Sequence, residues 1–212
     1  MDTPEPGYAS WMLAILPQIE NEHVYQSHNF QLPVFQPANS TSAGTIVGLY
    51  LCPDDRRTSD RFISTLSGTP VSMAYASYVG NLGSNFIVDS LDWGVGVQPD
   101  GVLYRQSTVR PEDIIDGTSH TLMAGERQLV DPLMRPVWAF GFTGKVVGDV
   151  STGILDATDE RVHWGFSSYH PAGAHFLMAD GSVRMLGREI DSSLFGALAT
   201  RGGQEPESDS AF

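Results

Sequence analysis

The hydrophobic positions of residues 8–28, YASWMLAILPQIENEHVYQSH, recur with the period of an amphipathic α-helix. The apolar residues on one face of this helix are Trp11, Ile15 and Ile19. Ser10 is a suitable N-cap residue, because its hydroxyl can accept a hydrogen bond from the first turn. Pro17 lacks a backbone N–H group, so we expect the helix to kink or restart there.

Short apolar runs between turn residues predict strands in the first half of the chain. GLYLCPDDRR (residues 48–57) predicts a short buried strand that ends at Pro53. VSMAYASYVGNLG (residues 71–83) predicts a second strand, broken at Gly80-Asn81, and GVLYRQS (residues 101–107) is a further candidate. The intervening residues have the composition of loops.

The second half begins with one predicted helical turn. Residues 110–115, RPEDII, place a proline in the first turn, where it is tolerated, and acidic residues near the positive end of the helix. TSHTLMAGER (residues 118–127) predicts a strand, and PVWAFGF (residues 136–142) is another apolar segment. Residues 143–163 carry glycine and aspartate and predict a loop.

Two apolar runs in AHFLMADGSVRMLG predict a β-hairpin over Ala174–Gly187, placed centrally in a sheet. The Asp180-Gly181 pair favours a tight turn, because such turns need backbone angles that Asp and Gly tolerate. An extended segment rises about 3.3 Å per residue, so Ala174–Ala179 covers about 20 Å. His170 and Asp180 therefore lie too far apart to form a catalytic pair.

The histidines of this region predict no metal site. His163, His170 and His175 have spacings that match no compact zinc pattern, and a second cysteine is absent. We expect each histidine to form local hydrogen bonds, and His170 to fix the turn into the hairpin.

Charge and composition exclude several classes of partner. The formal net charge is −13, from 12 basic and 25 acidic residues, so nucleic acid and anionic membranes are excluded as partners. The 22 glycines and 13 prolines, with 17% charged residues, indicate a β-rich protein with many loops. The single cysteine, Cys52, cannot form an internal disulfide. The longest apolar run, Trp11–Leu16, is too short for a bilayer span, which needs about 20 residues, and no signal peptide is visible.

Several segments together resemble a large bacterial family of prepilin-like proteins of unknown function. Its H-x9-D-G signature corresponds to YHPAGAHFLMADGSVRML, where the histidine is His170 and the final pair is Asp180-Gly181. The other matching segments, in the order of the family, are SWMLAILPQIEN, LYLCPDD, SYVGNLG, DIIDGTSHTLMAGER and LFGALATRGGQE. The resemblance covers the chain from about Ser10 to Glu205.

This resemblance implies an α+β, pilin-like head, in which an N-terminal amphipathic helix packs on an antiparallel β-sheet with loop-rich insertions. We expect one domain over residues 8–201 and an acidic flexible tail over residues 202–212. The residues that would form its structural signature are His170, Gly173, Asp180, Gly181, Asp116 and Gly117. Members of the family begin with a leader, a long apolar helix and a second cysteine, none of which is in this sequence. The resemblance implies that the missing helix would anchor the full-length protein in the membrane. It also implies that Cys52 could pair with the missing upstream cysteine.

Three functions are compatible with these sequence features. The resemblance favours a non-enzymatic head of a type IV pilin-like or type II secretion pseudopilin-like protein on the bacterial cell surface, whose partners are pilin-like subunits or secretion components. The alternative is an extracellular module that binds a glycan or peptide, with Trp93, Trp138 and Trp164 as stacking residues. A hydrolase is the third, although the chain lacks the usual nucleophile and phosphate-loop motifs.

No cofactor is predicted, apart from calcium as a weaker alternative. Some pseudopilins bind calcium in a loop, and here the hard oxygen ligands would come from Asp89, Asp92 and Asp100. Their spacing is not that of an EF-hand, and solvated loop carboxylates explain the pattern equally well.

Overall fold

The computed structural model describes residues 9–56, 60–84, 99–104, 107–131, 133, 135–141, 147–159 and 164–203. The chain divides into two compact units, each made of separate stretches of sequence. Unit 1 comprises residues 1–78 and 128–146, and unit 2 comprises residues 79–127 and 147–212. Among the described residues, no helix has the length and apolar character that a membrane span requires. The single domain over residues 8–201 stays a prediction.

Unit 1 begins with short helical pieces. The helices are α1 (Trp11–Ala14), α2 (Glu22–Gln26) and α3 (Ser40–Ala43), with a 3-10 helix over Leu16–Ile19 between α1 and α2. The Ser10 hydroxyl accepts the backbone N–H of Leu13 at 3.0 Å, which confirms the predicted cap. Pro17 lies in the first turn of the 3-10 helix, so the predicted restart is also confirmed.

Two predicted strands of unit 1 differ from the structure. Gly48–Tyr50 is a 3-10 helix, so the strand predicted to end at Pro53 is wrong there; the Tyr50 hydroxyl donates to the carbonyl of Met12 at 2.6 Å. Strand β2 (Val71–Ala74) pairs antiparallel with β1 (Arg61–Ser64) and ends before residue 75. The break in the strand predicted over residues 71–83 falls at residues 75–77, not at Gly80-Asn81. The backbone N–H groups of residues 75, 76 and 77 donate to carbonyls in three separate segments, so they do not pair with one neighbouring strand.

Residues 137–140 of the predicted apolar segment lie in the core of unit 1. Trp138 is fully buried, and its indole Nε1 donates to the carbonyl of Thr45 at 3.0 Å. Met12, Leu13 and Leu16 belong to the same hydrophobic cluster. The helical segments and residues 137–140 are thus held by a shared apolar core, the main source of stability for such short elements.

Unit 2 is built around a five-stranded sheet. Its strands, in spatial order, are β5 (Val147–Asp149), β3 (Tyr78–Gly83), β4 (Leu122–Glu126), β8 (Gly173–Met178) and β9 (Val183–Gly187). β4 and β8 are antiparallel, as are β8 and β9, whereas β3 and β5 are parallel. The sheet is therefore mixed, where an antiparallel sheet was expected.

Smaller elements complete unit 2. Strands β6 (Ile154–Asp156) and β7 (Phe166–Ser168) form a parallel pair, so the loop predicted over residues 143–163 is wrong for β5 and β6. Pro111–Asp113 forms a 3-10 turn, which confirms the predicted helical turn. Strand β4 confirms the strand predicted over residues 118–127, whereas residues 101–104 form no strand.

The predicted hairpin is present, but at the edge of the sheet. β8 and β9 pair from Gly173↔Gly187 to Leu177↔Val183, and Gly181 in the turn has φ +87°. β9 forms one edge of the described five-stranded sheet, so the central placement of the hairpin is wrong. Helix α4 (Ser192–Ala199) supplies Phe195, whose ring packs against those of Phe176 and Phe166.

Candidate functional site

The most unusual polar group of unit 2 is the carboxylate of Glu126, which is only 1% exposed at the end of β4. Its Oε2 atom accepts the backbone N–H of His175 at 2.8 Å. Its Oε1 atom lies 3.2 Å from Nε2 of His170, and Oε2 lies 3.4 Å from Nδ1 of His175. A buried carboxylate needs such partners, because burial of an unpaired charge is costly.

The two imidazoles meet around this carboxylate. Their rings are edge-to-face with centroids 5.0 Å apart. The side chain of His170 is 18% exposed and that of His175 is 42% exposed, so the cluster reaches solvent through His175. We call Glu126, His170 and His175 the histidine–glutamate cluster.

Sequence reasoning missed this cluster. His170 and His175 are 44 and 49 residues from Glu126, and only the pairing of β4 with β8 brings them together. The partner of His170 Nε2 is therefore distant in sequence, so the contact at this ring nitrogen is not a local one. The available signal was a glutamate directly after the apolar strand residues LMAG, where a charge is normally excluded.

The signature pair His170 and Asp180 lies on either side of β8. His170 precedes the strand and Asp180 follows it, and the six residues of β8 cover about 20 Å. Asp180 is exposed, and hydrogen bonds from Ser182 hold the pKa of its carboxyl below the usual value. Its backbone N–H donates to the carbonyl of Thr118 at 2.9 Å, which joins the hairpin turn to the segment before β4.

Gly173 and Gly181 serve the hairpin in different ways. Gly173 has φ +155°, and a Cβ at this position would overlap the carbonyl oxygen of Leu186. Gly181 has φ +87° but open space around its Cα. The first glycine therefore permits close approach of β8 and β9, and the second permits the turn.

Asp116 and Gly117 also hold backbone in place. The Oδ2 atom of Asp116 accepts the hydroxyl of Thr200 at 3.1 Å and the N–H of Gly203 at 2.8 Å. Gly117 adopts φ +94° directly afterwards. This pair connects the turn before β4 with the chain that leaves α4.

The predicted stacking tryptophans do not form an exposed aromatic surface in the described structure. Trp138 is fully buried, so the ligand-stacking role predicted for it is wrong. Trp164 is half-buried, and its carbonyl accepts a hydrogen bond from Arg127. Trp93 lies outside the described residues.

Of the predicted calcium ligands, Asp89 and Asp92 lie outside the described residues, as does His163. Both carboxylate oxygens of Asp100 accept hydrogen bonds from Ser84, at 2.8 Å from the backbone N–H and at 2.5 Å from the hydroxyl. Asp100 therefore closes a backbone turn onto Ser84 in this structure.

Arg127, next to Glu126, is a second buried charge that sequence reasoning missed. Its guanidinium donates to the carbonyls of Gly165 at 2.7 Å and Val147 at 3.2 Å, as well as to Trp164. Burial lowers the pKa of Arg127 to about 9, although the nearby Asp149 opposes that shift. This side chain ties β4 to β5 and to the start of β7.

Comparison with known proteins identifies a family. A family model described as "Protein of unknown function (DUF1559)" matches residues 1–193. No curated protein matches the chain, and no solved structure matches it.

Proposed function

We propose that this chain, which belongs to the family of unknown function whose model matches most of its length, is a pilin-like head domain. In this proposal it is a non-enzymatic part of a bacterial cell-surface protein. The domain lies outside the cytoplasmic membrane, in which a preceding apolar helix would anchor it. It acts through contacts with other pilin-like subunits or with components of a secretion system. The pilin-like assignment comes from the ordered motifs of the sequence.

The observation that carries the non-enzymatic part is the separation of His170 and Asp180 by the whole of β8. Each of them fastens the hairpin to the β4 region, His170 through Glu126 and Asp180 through the carbonyl of Thr118. General acid–base catalysis by His170 together with Asp180 would need these two groups within hydrogen-bond reach of each other or of one substrate. A pair at opposite ends of a strand instead suits an architectural role.

Exposed apolar side chains on β9 support a role in protein contacts. Val183 is 65% exposed and Met185 is 42% exposed, two positions apart on the outermost described strand. Alternate residues of a strand project to the same face, so these side chains lie side by side. Edge strands with exposed apolar residues are ready templates for association, and proteins normally protect them.

A photo-crosslinking amino acid at Met185 tests this proposal in the protein produced by its native bacterium. A matched control places the same amino acid at Ser192, an exposed residue at the start of α4. We expect adducts at position 185 that mass spectrometry identifies as a second copy or another pilin-like subunit, and no such adducts at position 192. Equal or absent crosslinking at both positions would overturn the proposed contact.

The enzymatic alternative has a separate test. Purified protein is assayed with ester, peptide and glycoside substrates, beside the His170→Ala variant. The proposal expects no turnover above buffer. Turnover that His170→Ala abolishes while the melting temperature is unchanged would replace the architectural role with a catalytic one.

A further inference from the structure

We infer that Glu126, His170 and His175 form a binding site for a divalent transition-metal cation of the Zn²⁺ type. Nothing in the pilin-like proposal requires such an ion, so this inference stands apart from it. It rests on the kind of donor atoms, their distances and their access to solvent.

The donor set suits a borderline-soft cation. Two imidazole nitrogens and one carboxylate are a common protein ligand set for Zn²⁺, with a further position left for water. Imidazole also binds Cu²⁺, Ni²⁺ and Fe²⁺ well. Calcium prefers six to eight oxygen ligands, and this cluster offers a single carboxylate, so calcium does not fit.

Two ligand separations are close to those between ligands that share an ion. With metal–ligand bonds of about 2.0–2.1 Å and tetrahedral angles, neighbouring ligand atoms lie about 3.3–3.4 Å apart. Oε1 of Glu126 lies 3.2 Å from Nε2 of His170, and Oε2 lies 3.4 Å from Nδ1 of His175. Each imidazole is thus near a different oxygen of the same carboxylate, and side-chain rotation is needed before both rings and one oxygen can share an ion.

The cluster has both a fixed part and an adjustable part. The Glu126 carboxylate is held by the backbone N–H of His175 at 2.8 Å, which orients it toward both rings. The edge-to-face rings have centroids 5.0 Å apart, so a shared ion requires the His175 ring to turn toward His170. This ring is 42% exposed, which gives it room to turn and leaves the ion a path from solvent.

Charge also favours a cation at this position. The Glu126 side chain is only 2% exposed, and a buried carboxylate is stabilised by a nearby positive charge. The chain as a whole carries a formal net charge of −13, which attracts cations toward its surface.

Isothermal titration of untagged, chelator-treated protein with Zn²⁺ tests the site. The His175→Ala variant removes a partly exposed ligand with little effect on the core, and His23→Ala removes an exposed histidine on α2 as the control. We expect one saturable site whose Kd rises at least tenfold in His175→Ala and is unchanged in His23→Ala.

Cobalt provides a spectroscopic check that does not depend on stability. Co²⁺ in a tetrahedral site with nitrogen ligands absorbs visible light strongly, and His175→Ala should lose this absorption while keeping the circular dichroism of the parent. Absence of saturable binding, or equal binding by the parent and His175→Ala, would overturn the inference. An equal loss of Zn²⁺ binding in His175→Ala and His23→Ala would also overturn it, because binding would then not depend on the histidine–glutamate cluster.

Discussion

The Nε2 atom of His170 lies 3.2 Å from Oε1 of Glu126, so the signature histidine is tied to β4 and not to the aspartate of its own motif. The same carboxylate accepts the backbone N–H of His175, the third residue of β8. Glu126 therefore fastens the entry to β8 with one oxygen and the strand itself with the other. This relationship explains why a histidine ten residues before an Asp-Gly turn serves the fold.

Removal of this carboxylate should destabilise unit 2. In Glu126→Ala the backbone N–H of His175 loses its acceptor and the rings of His170 and His175 lose a buried carboxylate, so we expect the free energy of unfolding to fall by about 2–3 kcal/mol. The matched control is Glu112→Ala, since the Glu112 side chain is 68% exposed and should change stability by less than about 0.5 kcal/mol. Urea denaturation in metal-free buffer measures both, and equal stabilities of the two variants would contradict the role of Glu126.

The two signature glycines should differ in their tolerance of alanine. Gly173→Ala places a Cβ against the carbonyl oxygen of Leu186, and we expect a loss of about 3 kcal/mol or more. Gly181→Ala meets only open space, so its cost is the positive φ alone, about 1–2 kcal/mol. Gly181→Val should exceed 1 kcal/mol, because a β-branched residue resists positive φ.

Thermal unfolding of the glycine variants gives the ranking, with Gly181→Asn as the control that best tolerates the turn. A Gly173→Ala variant as stable as Gly181→Ala would show that the space between Gly173 and the carbonyl oxygen of Leu186 admits a Cβ atom. An unchanged melting temperature for Gly181→Val would contradict the turn.

The buried guanidinium of Arg127 should be essential to unit 2. Arg127→Met removes the donor to the carbonyls of Val147 and Gly165, and we expect about 2–3 kcal/mol of destabilisation. Arg110→Met is the control, because the Arg110 side chain is 74% exposed and its ion pair with Glu112 lies at the surface. Hydrogen exchange should show faster exchange in β5 and β7 for Arg127→Met alone, and unchanged protection there would argue against this tether.

The N-cap of α4 should depend on pH. Hydrogen bonds from Ser193 and then Leu194 lower the pKa of Asp191 below its ordinary value of 3.8, so the ionised form stabilises the folded state. That stabilisation is complete above the ordinary value and is lost as the pH falls through the lowered pKa. Asp191→Ala should therefore have a lower melting temperature than the parent at pH 7, and the difference should shrink below about pH 4.

Asp191→Asn separates charge from hydrogen bonding at this cap. Asparagine keeps an oxygen acceptor, so the variant should retain most of the parent's stability and show less dependence on pH. Scanning calorimetry at several pH values measures this series. A difference between the parent and Asp191→Ala that stays constant down to the lowest pH would show that ionisation of Asp191 plays no part.

The sequence predicted the local features of the fold better than the long-range ones. Ser10, Pro17 and the Asp180-Gly181 turn act through neighbours within a few residues, and each is as predicted. The break at residues 75–77 was missed because its cause is distant: the N–H of Ala76 donates to the carbonyl of Pro136. No local pattern contains that information.

The candidate site was missed for the same reason. Glu126 and the two histidines meet only through the register of β4 and β8, which the sequence alone does not give. The stacking role predicted for Trp138 shows the opposite error, since its residue type suits ligand stacking but its side chain lies in the core of unit 1. Residue type predicts what a side chain can do, whereas its burial depends on the whole fold.

A double-mutant cycle between His170→Ala and Asp180→Ala tests the architectural account most directly. Each single change should lower the free energy of unfolding, and the two losses should add within error, because residues without contact act independently. The reference is the cycle between His170→Ala and Glu126→Ala, where the two side chains touch and the losses should not add. A coupling between His170 and Asp180 as large as that reference would contradict the account.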